Sequence, residues 1–329
     1  SKGTSWEELY GGPSTDYIKH GVPEEFNQTT WCAEKTIEFI KNQKGDPWFF
    51  SYNCFAPHHP FDPPAEFLSR YNPDDMPLPK TRPEELKNKT TYQQLDGRFA
   101  HNDPSGYDME KMTDKDKQEI TAAYYAMIEL IDKQVGRMMG SLEETGQLDN
   151  TIVIFMSDHG EMLGDHGFYL KGPHFYDEAV RVPLIFSWKD RMQSDLRAAC
   201  LTELIDIAPT LLEAAGIDIP EYVQGRSLLP ILLGQRPADQ HRDYVFSEYY
   251  NAWTHKHAYG SMLRTTDEKV VVYHGTDQGE LYDLKNDPDE FKNLWNDSSH
   301  TSMKLRLMKA CFDASVFTMD PSPPRLGPF

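Results

Sequence analysis

The run Thr151-Ile152-Val153-Ile154-Phe155-Met156 constrains the fold more than any other segment of this chain. It is continuous, apolar and rich in β-branched residues, the pattern of a central strand buried on both faces. Just upstream, Ile120, Tyr124, Met127, Ile131, Val135, Met138 and Leu142 recur every three or four residues. That spacing predicts a helix over roughly 114–145, with Gly146 at its C-cap and the methionines and tyrosines as a core stripe. A second apolar strand over Pro183–Ser187 and a helix from about Asp206 to Ala215, closed by Gly216, continue an αβα rhythm. A helix from about Asn27, with Ala33, Ile37 and Ile40 at helical spacing, ends near Gly45, and Trp48–Tyr52 reads as another buried strand. Residues 1–26 read as loop. Residues 57–113, dense in proline and charge, read as a long surface excursion, and excursions of that length are usually functional.

After about residue 238 the pattern shifts to short strands at Tyr244–Tyr249, Val270–Tyr273 and Glu280–Leu284, then a last helix near 299–312. The chain therefore divides, on sequence, into a large α/β domain over 1–237 and a small C-terminal α+β subdomain over 238–329. Its 329 residues and 39% hydrophobic content suffice for such a core. A net charge of −19 argues against nucleic acid or an anionic membrane as partner, because both require a basic face. An anionic ligand would have to be drawn in by a local cation, lysine or histidine. No run of about 18 apolar residues occurs, so no membrane span is expected. No signal-peptide pattern opens the chain, and the start at Ser1 without Met fits a processed or truncated end as well as routine Met removal. Cys32, Cys54, Cys200 and Cys311 form neither a zinc framework nor a disulfide scaffold. Three Asn-x-Ser/Thr sequons begin at Asn27, Asn88 and Asn296, and the compartment stays open between periplasmic, secreted and cytoplasmic.

The chemistry concentrates where the central strand ends. Asp158 and His159 follow it directly on a turn that Gly160 permits, and the carboxyl ends of strands in open α/β sheets are where ligands bind. A carboxylate beside an imidazole suits a divalent cation, with Ca²⁺ or Mg²⁺ favoured by oxygen-rich surroundings; a plain helix N-cap is the alternative. Seven residues on, Asp165-His166-Gly167 repeats the triplet, and Lys171 follows as either an ordinary surface lysine or an anion ligand. His58 and His59, framed by prolines just beyond Trp48–Tyr52, could hydrogen-bond an anion or protonate a leaving group, or be loop histidines and nothing more. His255 and His257 could touch a sugar leaving group or simply face solvent.

Four blocks in order carry a resemblance: APHHPFDPPAEFLSRY; the SDHG, GDHG, Lys171 and VRVPLIF stretch; TELIDIAPTLLEAAGI followed by VQGRSLLPIL; and GELYDLKNDPDEFKNL. Together, over roughly Asn27 to Asn296, they resemble the type I sulfatases of the alkaline-phosphatase-like superfamily. The resemblance implies a mixed sheet sandwiched by helices and hydrolysis of a small anionic sulfate ester or sulfated saccharide, with a metal that is usually Ca²⁺ (Mg²⁺ or Mn²⁺ as alternatives). Asp158 and His159 match metal-ligand positions. Lys171 matches the lysine that grips sulfate oxygens, and His58 the histidine of the Pro-His-x-Pro segment that contacts sulfate and its leaving oxygen. The departure is equally definite. The family's first-strand Asp-Asp pair and its Cys/Ser-x-Pro-x-Arg motif, source of the formylglycine nucleophile, are absent, and Pro321-Ser322-Pro323-Pro324-Arg325 only approaches the motif. The missing segments all belong to the family's N-terminal third, a pattern of truncation that predicts exposed apolar sheet edges. A phosphonate or phosphate ester hydrolase and a non-catalytic anion-binding protein are the rival readings. The oligomeric state is not legible.

Overall fold

A computed structural model of the chain describes residues 17–318 apart from 20, 44, 83–84, 98–106, 108, 110 and 251–256. The chain divides into two compact units. The first takes residues up to 87, 94–153 and 160–172, and the second takes 88–93, 154–159 and the residues from 173 onward.

The first unit is organised by two helices. In α1 (Gln28–Asn42), Asn27 caps the start by accepting from the Thr29 amide at 2.9 Å, and Ala33 and Ile40 are buried. In α2 (Asp114–Glu144), Thr113 and Asp116 form a capping box that satisfies two otherwise orphaned amides. Ile120, Ala123 and Met127 of α2 join Ile18, Phe61, Tyr107, Met112, Tyr169 and Leu170 in one core, while α1 packs along the same helix. The 57–113 region is less superficial than its composition predicts. Phe61 and Phe67 are fully buried, and a parallel bridge ties Ile18 to Phe61. Gly21 sits so close to this segment that a Cβ would fall 1.8 Å from the Asp62 carbonyl oxygen. Trp48–Tyr52 does not form a strand. Trp48 Nε1 donates to Gln147 and the Tyr52 hydroxyl to the Thr29 carbonyl, so side chains anchor the segment where no backbone ladder does.

Strand β1 (Val153–Met156), in the second unit from Ile154 onward, pairs with β2 (Leu184–Ser187). Phe155, Met156 and Ile185 of these strands are exposed, contrary to the two-sided burial that their composition predicts. Helix α3 (Ile207–Ala214) follows. A four-stranded antiparallel meander comes next: β3 (Val245–Tyr250), β4 (Tyr259–Arg264), β5 (Glu268–Tyr273) and β6 (Gly279–Asp283). Helix α4 (Thr301–Phe317) buries Leu307, Cys311 and Ala314 against Leu263, Val270 and Leu281 of that sheet. The fully buried Lys269 is neutralised by Asp177 at 2.8 Å and Glu290 at 2.6 Å. Burial alone would raise the Asp177 carboxyl, but Lys269, Arg264 and Arg181 outweigh it and hold the group below its ordinary range. No helix among the described residues is long and apolar enough to cross a membrane.

Candidate anion and cation site

His58 is aimed before any ligand arrives. A turn closes with the His58 amide donating to the Phe55 carbonyl at 3.1 Å, and cis bonds at Ala56-Pro57 and His59-Pro60 flank the ring. Phe55 and His59 lie against the imidazole with centroids at 4.6 and 4.2 Å. Its Nδ1 is 2.7 Å from the His59 carbonyl oxygen, which can only accept, so Nδ1 carries the proton and Nε2 the lone pair. Lys171 Nζ donates to that Nε2. Two residues 113 positions apart thus meet as a cation and a neutral imidazole with a defined tautomer.

The loop that delivers Lys171 is held under strain. Leu163, His166 and Leu170 have φ of 45°, 57° and 66°, in the left-handed region that disfavours side chains with a Cβ. Gly164, at φ 93°, passes so near Pro79 that a Cβ would lie 2.6 Å from its Cγ. Three sets of bonds offset that cost. Backbone pairs link Met162 to Leu170 and Gly164 to Phe168. The second Asp-His-Gly triplet is held by Lys80 and Glu85: Asp165 accepts from the Lys80 amide at 2.6 Å, and buried His166 Nδ1 lies 2.6 Å from Glu85. Finally, Glu161 accepts the amides of Leu163 and Leu170. The Glu161 carboxyl is enclosed although the residue as a whole keeps some exposure. That burial pushes its pKa up to about 7, against the pull of its amide donors and the charge of Lys171. Neither Glu161 nor Glu85 stands out in the sequence; the only signal for Glu161 is its place directly after Asp158-His159-Gly160.

Asp158 and His159 lie in the second unit at the end of β1. The Ser157 hydroxyl donates to the His159 carbonyl at 2.7 Å, and the His159 amide donates to Asp158 Oδ1 at 3.0 Å. The Asp158 side chain is 84% exposed, with Oδ2 3.9 Å from His159 Nε2. At that separation one divalent ion can reach both atoms at about 2.1–2.4 Å. The pair fits a cation as a partial donor set, because among the described residues no three His, Cys, Asp or Glu side chains converge as a cage. The His257 carbonyl accepts from the Tyr92 hydroxyl at 3.1 Å. His255 and the Pro321–Arg325 segment fall outside the described residues.

Known proteins with this architecture define the class. Phosphonate monoester hydrolases from Silicibacter pomeroyi and Agrobacterium radiobacter superpose with TM-scores of 0.83 and 0.84, at 27% and 26% identity, covering 97% and 96% of this chain and 67% of each of theirs. The fold is alkaline-phosphatase-like α/β. A family description reading "Sulfatase" matches residues 3–217, and "N-sulphoglucosamine sulphohydrolase, C-terminal" matches 164–315. The chain belongs to the sulfatase family. The multifunctional alkaline phosphatase superfamily protein PehA of Trinickia caryophylli is 31% identical over 86% of this chain and 58% of its own length. An arylsulfatase of Clostridium perfringens is 30% identical over 85% and 56%. The chain therefore spans somewhat more than half the length of these curated relatives.

Proposed function

We propose that the chain serves hydrolysis of sulfate esters, taking a sulfated saccharide or an aryl or alkyl sulfate. The carrying observation is the Lys171–His58 pair, a fixed ammonium on a neutral imidazole whose tautomer is set. A sulfate oxygen competes for the same Lys171 protons that His58 Nε2 accepts. Lys171 would then offset charge growing on the sulfuryl oxygens, and the released Nε2, a lone pair in this tautomer, would take up a proton from water and pass it to the leaving oxygen. Asp158 and His159 would ligate a divalent cation, Ca²⁺ first and Mg²⁺ or Mn²⁺ otherwise, which when bound would supply Lewis-acid charge. The sequence given holds no Cys/Ser-x-Pro-x-Arg motif, and the formylglycine expected of the family is assigned to none of its residues. In this reading residues 1–237 hold the site, and 238–329 form an appended α+β part.

A second reading, hydrolysis of phosphonate or phosphate monoesters, is favoured by the likeness to the two phosphonate monoester hydrolases. Calorimetric titration with sulfate and with phenylphosphonate tests both readings. Sulfate should bind, and Lys171→Met should weaken it by about 10- to 100-fold, the loss of a charge-assisted contact. Binding of phenylphosphonate well above sulfate would favour the second reading, and indifference of both ligands to Lys171 would remove the site.

A further inference from the structure

One face of the β3–β6 sheet changes character along its strands. Alternation puts Phe246, Glu248 and Tyr250 of β3 on that face, opposite Leu263, Ser261 and Tyr259 of β4 respectively. At the Phe246–Leu263 end the face is apolar and covered by α4. Beyond it the apolar cover runs out, near Ser315 of α4. Here Glu248, Tyr250, Tyr259, Ser261 and Ser315, with His274 from the turn after β5, line a cavity of about 200 Å³.

The floor of this cavity is Ser261, only 3% exposed, with Oγ 2.8 Å from His274 Nε2 and 3.5 Å from Glu248 Oε1. A hydroxyl has one proton to give, so it cannot donate to both neighbours, and carboxylate and imidazole retain capacity for a ligand. The wall is aromatic. Tyr250, 77% exposed, stands edge-on to Tyr259 with centroids 4.8 Å apart.

We propose that this cavity binds one neutral sugar ring, with its C–H face on Tyr250 and neighbouring hydroxyls on Glu248 and His274. Charge selects the ligand class. The one carboxylate in the lining, on a chain of net charge −19, disfavours sulfated, phosphorylated or carboxylated groups, and with them nucleotides. A purely apolar guest would cover Glu248 and His274 while leaving their remaining hydrogen-bonding capacity unmet. A pyranose meets both demands, with an apolar face for an aromatic wall and adjacent hydroxyls that each donate and accept. A volume well under the roughly 300–1,000 Å³ of drug-sized pockets suits a single ring rather than a chain of them. The site is independent of Lys171 and His58 and does not rest on the proposed hydrolysis.

The test is chemical-shift mapping of the 329-residue chain with methyl α-D-mannopyranoside, methyl β-D-glucopyranoside, methyl β-D-galactopyranoside and methyl N-acetyl-β-D-glucosaminide. At least one should shift the Gly260, Ser261 and His274 signals saturably. Tyr250→Ala should weaken that binding about tenfold, the loss of one aromatic contact, without changing the melting temperature. Saturable shifts that Tyr250→Ala leaves untouched would overturn the proposal. So would silence from all four glycosides, and so would a response to zinc chloride alone, which would make Glu248 and His274 a cation site.

Discussion

Asp158-His159-Gly160 and Asp165-His166-Gly167 are the same three letters seven positions apart, but their side chains have opposite surroundings. The first Asp is 84% exposed, and its contacts in the pair are with the neighbouring histidine. In the second triplet His166 is 2% exposed against Glu85, and Asp165 takes the Lys80 amide. The exposed Asp158 carboxylate, with an imidazole nitrogen 3.9 Å away, is open to a cation. The same groups enclosed and partnered within the fold are spent on holding a loop whose φ values are unfavourable. The density of Asp and His in 157–171 therefore overstates the chemistry: half of it shapes the loop that presents Lys171.

The sharpest way to break this contrast is His166→Ala. It would take from the nearly buried Glu85 carboxylate its hydrogen bond to the imidazole, and leaving a buried charged group short of a partner costs about 3 kcal/mol. Urea unfolding should show that loss, and a change under 1 kcal/mol would put the second triplet in the same class as the first. The next effect in size is a pH dependence at Glu161. Its native pKa is raised from 4.5 to about 7, so between those values the folded state keeps a proton that the unfolded state has released. Stability should therefore fall as pH rises through that window, by up to about 3 kcal/mol, and be flat in this contribution on either side. Glu161→Gln should abolish the slope. Unfolding curves for parent and variant, below pH 4.5 and above pH 7, check it, and parallel curves would show a carboxyl with ordinary acidity.

How far the sequence reaches can be seen residue by residue. The Ile120–Leu142 stripe placed α2 nearly to its ends, because a long amphipathic period has few rival structures. Trp48–Tyr52 carries strand composition without a ladder, since composition reports burial preference and says nothing about the neighbour that must supply hydrogen bonds. Strand β4, Tyr259–Arg264, went unread because its four central residues are all buried, so the sheet imposes no alternation, and Gly260 weakens the local preference further. His58 and Lys171 were each singled out as candidates from local sequence, but their meeting was not, for no spacing rule joins positions 113 apart. Glu161 had no sequence signal beyond its place after Asp158-His159-Gly160. Its importance comes from enclosure among Tyr107, Tyr124 and Tyr169, contacts that exist only after folding.

Smaller substitutions sharpen the comparison between the two aspartates. Asp165→Ala removes one hydrogen bond to the Lys80 amide and should cost about 1 kcal/mol, read by the same urea titration.

Asp158→Ala should change stability in the absence of metal by less than about 0.5 kcal/mol, because it removes an exposed side chain away from any core. The effect should appear only when Ca²⁺ is added. A cation that binds the native state alone raises the melting temperature by mass action, and the parent should show that rise while Asp158→Ala does not. A rise preserved in the variant would place the cation elsewhere in the protein. A loss of more than 1 kcal/mol without metal would mean that Asp158, like Asp165, is held by the fold, and the difference between the two triplets would then be one of degree.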